Sequence, residues 1–458
     1  MKYAIIGTSH AGYEAVQTIL EREPQAEIHL YEAGATASFL SCGIQSYLEG
    51  ESSCLSKIHY ANEESYKNQG VHIHVNTTVT AFDAAKHVLT YTDANGAGTG
   101  SESYDKLILG VGAIPAPLKV AGADLANVYY MRGEVWADKI KKRMASARQV
   151  VVIGGGYIGI EAAEAYAKAG KEVTVIDFQK RILPTYLDQE FTDILTAEAQ
   201  KHNLTFRGGE GVVEFTGSDG QVTAVKTDKG TYPCDTVIIA VGIKPNTAWL
   251  KGLVDLDQRG FILTDAYQQT SAQDVYAAGD ATYIQYAPNG QKAAIALATN
   301  ARRQGIVAAK NAMGEKASVQ PVSGTSALAL FDYHFATSGI NSANCSSYQG
   351  KVASTYLVQR VRPTFFDQPA EDVNTLYSKI YYDAETKVIL GAQFMSQFDI
   401  TQYANIISLA IFNKNTLAEL SMQDFFFQPE YVGPWHAVCT LALQAEKRTY
   451  GAEKMLFM

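Results

Sequence analysis

Val150-Val151-Val152-Ile153-Gly154-Gly155-Gly156-Tyr157-Ile158-Gly159 decides the fold of this chain. Four β-branched apolar residues in a row read as a buried strand. The glycines at 154, 156 and 159 complete a GxGxxG turn, Ile160 to Ala169 reads as a helix, and Glu172 to Ile176 as a second strand ending at the acid Asp177. Together these meet every requirement of a dinucleotide-binding βαβ unit. The glycines let backbone approach a pyrophosphate at the helix start, and the acid accepts from a ribose 2′-hydroxyl. An acid there repels a 2′-phosphate, so Asp177 points to NADH rather than NADPH, although Lys180 and Arg181 lie close in sequence.

Moving outward to the N-terminus, the pattern occurs a second time. Tyr3 to Ile6 is a strand, Gly7-Thr8-Ser9-His10-Ala11-Gly12 the turn, Tyr13 to Arg22 an amphipathic helix, and Glu27 to Tyr31 a strand ending at Glu32. Ser9 replaces the middle glycine, so here the register of strand, turn, helix, strand and acid carries the reading rather than the motif. One nicotinamide-dependent unit needs one such fold. Two imply a flavin dinucleotide in one and a nicotinamide dinucleotide in the other, with hydride passing between them. Glycine-broken strands at Tyr104 to Pro115 and Asp235 to Asn246 read as exits from the two units. Between them Met131-Arg132-Gly133 opens a helix whose Lys139, Lys141, Lys142 and Arg143 read as a solvated face. A third strand, Asp274 to Ala277, leads into Gly279-Asp280.

The bulk numbers fit a globular enzyme. The 458 residues suggest roughly three domains, with 47% apolar and 19% charged residues. The net charge of −9 argues against nucleic acid or an anionic membrane as partner. No apolar run approaches the roughly 18 residues of a membrane span, and the start is too short for a signal sequence, so a cytoplasmic location is expected. Five scattered cysteines, Cys42, Cys54, Cys234, Cys345 and Cys439, form no CxxC and predict neither a disulfide framework nor a metal site.

Cys42 stands apart. It lies in Ser38-Phe39-Leu40-Ser41-Cys42-Gly43, ahead of a short helix at Ile44 to Glu49. A thiol at a helix start feels the macrodipole and nearby N–H groups, which favour thiolate. The common alternative for a lone cysteine is a small buried hydrophobe. Tyr47 occupies the position where a CxxxxC dithiol would have its second cysteine, so Cys42 acts without a resolving partner nearby in sequence. His10 reads either as a cap or surface histidine or as a group aimed from the glycine turn at a cofactor, with Glu14 one helical turn on. His72, His74 and His87 carry no functional expectation.

The two glycine turns, the Gly279-Asp280 pair, SFLSCG with its single cysteine, His10 and Phe425-Phe426-Phe427-Gln428-Pro429 resemble the two-dinucleotide flavoprotein reductases over the whole chain. Within that family they are similar to the NADH peroxidase and water-forming NADH oxidase branch. Gly7 to Glu14, Asn300-Ala301-Arg302-Arg303-Gln304-Gly305 and Phe331-Asp332-Tyr333 resemble the peroxidases most. The resemblance implies catalytic roles for Cys42, His10, Arg302 and Glu14, with Arg302 paired to Glu14, an arginine that oxidases of the branch commonly lack. It implies that Asp280 holds the flavin ribityl chain. It implies further cofactor contacts from Gly7, Thr8, Ser9, Ala11, Gly12, Glu32, Gly110, Val111, Gly112, Ala113 and Arg132. Gly154, Gly156, Tyr157, Ile158, Gly159, Asp177, Tyr186, Gly242, Ala296, Ala298 and Thr299 complete that set. Trp435-His436 departs from the family, which usually has asparagine after the tryptophan.

The expected architecture is α/β: two Rossmann-like dinucleotide-binding domains and a C-terminal α+β dimerisation domain. FAD would occupy residues 1–114 and 246–320, NADH residues 115–245, and residues 321–458 would form the interface of a homodimer or dimer of dimers. The Phe425–Pro429 segment would approach the partner's flavin, or, on sequence alone, be plain core. The resemblance implies peroxide reduction by a Cys42 thiolate and sulfenic acid cycle. Three rivals stand beside it: a water-forming NADH oxidase, a coenzyme A disulfide reductase, and a flavin-binding redox sensor without turnover.

Overall fold

The computed structural model describes residues 1–94, 98–361, 375–428 and 431–447. Its chain builds three five-stranded sheets. The first runs Val275–Ala277, Lys106–Leu109, Lys2–Ile6, Glu27–Tyr31, His72–His74, all parallel. The second runs Leu204–Gly208, Glu172–Asp177, Gln149–Ile153, Thr236–Ile239, Val128–Tyr130, again all parallel. In each, the first strand of the βαβ unit lies at the point where the strand order reverses. Ligands of open parallel sheets bind beyond the carboxyl ends at that point. The third sheet is antiparallel and made of Ser326–Leu330, Tyr333–Gly339, Ile389–Ser396, Thr375–Asp383 and Val352–Arg360. The helices Tyr403–Phe412 and Ala437–Ala445 pack on it through Ile407, Ile411, Val438 and Leu441. The fold is thus the expected mixed α/β arrangement.

Both βαβ helices begin three residues earlier than the sequence suggested, at His10 and Tyr157, with Ser9 and Gly156 as their N-caps. His10 is therefore the first residue of a helix and not part of a free turn. The basic helix Glu134–Met144 also departs from expectation. Lys141 Nζ donates to the Leu48 carbonyl at 2.6 Å, and the Arg143 guanidinium is held by Asp235 and Thr236, so only part of that face is solvated. Phe426 and Phe427 are exposed rather than core. Pro429 lies outside the described residues. Among the described residues, no helix is long and apolar enough to cross a membrane.

Candidate active site

The two glycine turns are built alike. Gly7 sits at φ +97°, and a Cβ there would lie 2.3 Å from the Gly110 carbonyl oxygen of the neighbouring strand; Gly154 sits at φ +107°, 2.4 Å from that of Ala240. A side chain at either position would push apart the two strands that frame the ligand crevice. Gly12 and Gly159 pack beneath, each with its missing Cβ within 2 Å of the Gly7 or Gly154 carbonyl oxygen. The acids differ in what they hold. Glu32 accepts from Thr8 Oγ1 at 2.5 Å and from the Gly34 N–H at 2.8 Å. Asp177 accepts from the Gly155 N–H at 2.6 Å and the Gln179 N–H at 2.7 Å. Each carboxylate is fixed at the end of its strand with acceptor capacity left for a ribose.

A cavity of about 1970 Å³ joins both turns. From the first unit it is lined by Gly7 to Ala11, Glu32, Cys42, Gly110 to Ala113 and Asp280. From the second come Arg132, Gly154, Gly156, Tyr157, Ile158, Asp177, Tyr186 and Gly242, and Ala296 and Ala298 close it. Gly12, Gly159 and Thr299 are not on its wall; the two glycines act from below, by letting helix meet turn. Two bare-backbone cradles, each with an anchored acid, facing one cavity fit two dinucleotides. Asp280, expected against the ribityl chain, opens on the same cavity and pairs with Arg132 at 3.0 Å.

Cys42 lies in a 3₁₀ turn, Ser41–Gly43, just ahead of the helix Ile44–Glu49. Ser38 fastens the turn to the first glycine loop: its N–H donates to Thr8 Oγ1 at 3.0 Å and its hydroxyl to the Thr8 carbonyl at 2.8 Å. This puts a backbone with φ +56° at a non-glycine residue where two polar partners hold it. Cys42 is exposed to the cavity yet enclosed by protein on its other sides. That enclosure raises its thiol above the ordinary cysteine value, opposed by its own backbone N–H. Glu161 raises it further, while Arg302 and Arg132 lower it. The thiolate preference expected from the helix start alone is thus outweighed by burial.

Behind the cavity wall stands an array that the sequence indicated only through resemblance. Arg302, on the helix Ala298–Ala312, donates from Nε to His10 Nδ1 at 3.3 Å and pairs with Glu14. Its guanidinium lies 5.1 Å from the ring centroids of both Tyr13 and Tyr60. His10 stacks on Tyr60 at 5.0 Å and 13°. The helix of Arg302 reaches this place because Gly305 has no side chain: a Cβ there would be 2.2 Å from the Ala11 carbonyl oxygen. Burial, then the Arg302 charge, lowers the His10 pKa. Burial pushes Tyr60 up to about 12.

Glu161 is a site residue that motif reading missed. It lines the cavity, and burial with the neighbouring Glu164 and Glu49 charges pushes it up to about 7. Its signal was available only as an acid one turn into a helix whose other charged residues are Glu164 and Lys168. Tyr157 stacks on Tyr186 at 3.7 Å and shares a hydrogen bond of 2.9 Å with Ser326, which ties the second glycine turn to the third sheet.

The sequence model described as pyridine nucleotide-disulphide oxidoreductase matches residues 1–305. An NADH oxidase of Enterococcus faecalis is 36% identical over 446 residues, covering 97% of this chain and 99% of that one. The NAD(P)H coenzyme A polysulfide/persulfide reductase of Pyrococcus horikoshii is 30% identical over 444 residues, covering 96% and 97%. The solved structure of the water-forming NADH oxidase from Lactobacillus brevis, bound to NADH, is similar with a TM-score of 0.93 at 35% identity, covering 98% of each chain. Paired dinucleotide cradles and these likenesses agree: the chain belongs to the pyridine nucleotide-disulphide oxidoreductase family, in its NADH oxidase/peroxidase branch, and is an FAD-dependent oxidoreductase that uses NADH.

Proposed function

We propose that the protein is an NADH peroxidase that reduces hydrogen peroxide to water at Cys42. The observation that carries this reading is the Arg302 guanidinium bridging His10 and Glu14 behind the cavity that Cys42 faces. FAD, when bound, supplies the two-electron relay between NADH and this site. The Cys42 thiolate attacks one peroxide oxygen; an S–O bond forms, the O–O bond breaks, and hydroxide leaves to take a proton as the first water. The resulting sulfenic acid accepts two electrons originating in NADH and a proton, the S–O bond breaks, and the second water leaves. One NADH, one proton and one peroxide thus give NAD⁺ and two waters. His10 holds its proton at Nε2, because Nδ1 accepts from an arginine that can only donate. That Nε2–H is the group available to the peroxide oxygens. Arg302 and Arg132 favour the thiolate against burial.

With this reading go a cytoplasmic homodimer or dimer of dimers and the division of the chain into FAD, NAD and interface domains given above. The exposed apolar residues Leu409, Phe412, Met422, Phe426 and Phe427 of the C-terminal part support it.

A second reading, reduction of oxygen to water, is favoured by the names of the relatives. NADH consumption in two cuvettes separates them: anaerobic with peroxide, and aerobic with catalase and no added peroxide. Fast loss only in the first is expected; fast loss in the second overturns the peroxidase. Cys42→Ser should abolish peroxide reduction and keep the flavin bound, and turnover preserved in that variant would remove the cysteine from the mechanism.

A further inference from the structure

Every polar group of Ser38 is engaged. Its N–H donates to Thr8 Oγ1 at 3.0 Å, its hydroxyl to the Thr8 carbonyl at 2.8 Å, and its carbonyl accepts from the Tyr60 N–H at 3.3 Å. The Tyr66 hydroxyl lies 2.8 Å from Ser38 Oγ. The one hydroxyl proton of Ser38 goes to a carbonyl, which only accepts, so Tyr66 is the donor. Thr8 is directed in the same way. Its hydroxyl proton goes to the Glu32 carboxylate at 2.5 Å, so its lone pairs receive the Ser38 N–H. Thr8, Ser38 and Tyr66 are all buried, where a polar group left without its partner costs more than the bond itself is worth.

This chain has two ends. One is Glu32, which also takes the Gly34 N–H and keeps capacity for a ribose. The other is the segment that carries the thiol. Ser38 opens it at φ +56°, a backbone that an L side chain keeps only where partners hold it. The Leu40 N–H then donates to the Ile58 carbonyl at 2.8 Å, and the Gly43 N–H to that of Leu40 at 2.9 Å, closing the turn around Cys42. That turn aims the Cys42 backbone N–H, which favours its thiolate. We propose that Thr8 and Ser38 are positioning residues for Cys42, and that they couple ribose binding at Glu32 to the reactivity of the thiol. Such coupling is reciprocal: whatever loosens the turn also weakens the hold on the dinucleotide. The inference rests on Cys42 as the reactive thiol and is independent of the oxidant.

The test is iodoacetamide alkylation of the FAD-loaded protein across a pH series, with FAD in excess and the product read on the Cys42 peptide by mass. Thr8→Val removes the hydroxyl at nearly constant shape. It should move the onset of alkylation to higher pH by about one unit, and Thr8→Ser should keep it where it is. Glu32→Gln should move the onset the same way, and adding it to Thr8→Val should move it no further, because one chain is broken once. Ser38 is not on the cavity wall, yet Ser38→Ala should release FAD about tenfold faster, followed by flavin fluorescence on dilution. An onset unmoved or moved to lower pH in Thr8→Val would overturn the proposal. Additive shifts in the double variant, or an unchanged release rate in Ser38→Ala, would overturn the coupling. Alkylation needs no oxidant, so none of these outcomes depends on whether peroxide or oxygen is reduced.

Discussion

Arg302 Nε donates to His10 Nδ1 at 3.3 Å while the same guanidinium pairs with Glu14. A cation in that position opposes a second proton on the imidazole and fixes which nitrogen carries the first. His10 is thereby kept neutral to lower pH than a free histidine, with burial the larger cause and the Arg302 charge the next.

Arg302→Met should therefore raise the His10 pKa. The acid limb of kcat/KM for peroxide should move to higher pH, and the value at neutral pH should fall by about one to two orders of magnitude, since proton handling by a positioned side chain is worth ~10²–10⁴. The pH profile is the measurement. A drop in rate with an unmoved limb would mean that the arginine acts only by packing on Tyr13 and Tyr60.

Glu161→Gln removes a carboxylate that raises the Cys42 thiol. Thiolate should then appear at lower pH, read as the rate of iodoacetamide alkylation across a pH series. In the unchanged protein that curve should bend near pH 7, where Glu161 itself loses its proton. A curve without the bend, identical in the variant, would remove Glu161 from the electrostatics of the site.

Gly305→Ala should separate the helices His10–Arg22 and Ala298–Ala312, because the new Cβ would meet the Ala11 carbonyl oxygen at 2.2 Å. Overpacking of this kind costs about 1–3 kcal/mol. Thermal unfolding should fall accordingly. The His10 limb should also move as it does in Arg302→Met, because the guanidinium is carried away from the ring.

His436 caps the helix Ala437–Ala445, its Nδ1 accepting from the Val438 N–H at 3.2 Å. Burial lowers its pKa from the ordinary 6.5 to about 4. The unfolded chain binds the proton first, so stability should be lost as pH falls from about 6.5 toward 4. His436→Asn keeps a competent cap and carries no such group. Its Tm should drop less than that of the unchanged protein between pH 7 and pH 5; an equal drop would place the acid sensitivity elsewhere.

Both cradles were legible because they are local. Strand, glycine turn, helix, strand and acid lie within some thirty residues, and each residue's job follows from backbone geometry. Cys42 was legible as a lone thiol ahead of a helix. Its electrostatics were not, since the burial that outweighs the helix start comes from elements distant in sequence. The Arg302, His10 and Glu14 array depends on a glycine, Gly305, whose meaning appears only when a second helix lies on it. Exposure of Phe178 and of Phe426 also follows no period, because each faces a cavity or a surface rather than the core of its own element.

Glu164 is 1% exposed and belongs to the helix Tyr157–Lys168 of the second sheet. One of its oxygens takes the Phe331 N–H of the third sheet at 2.6 Å, and the other takes Gln45 Nε2, on the helix that follows Cys42, at 2.9 Å. A single buried carboxylate is thus the keystone where three separately wound parts of the chain meet. Cutting the gene between those parts would free each piece from its neighbours and take two donors from this acid. Modular exchange of the second dinucleotide unit between relatives therefore has to carry the cysteine helix and the turn at Phe331 along with it.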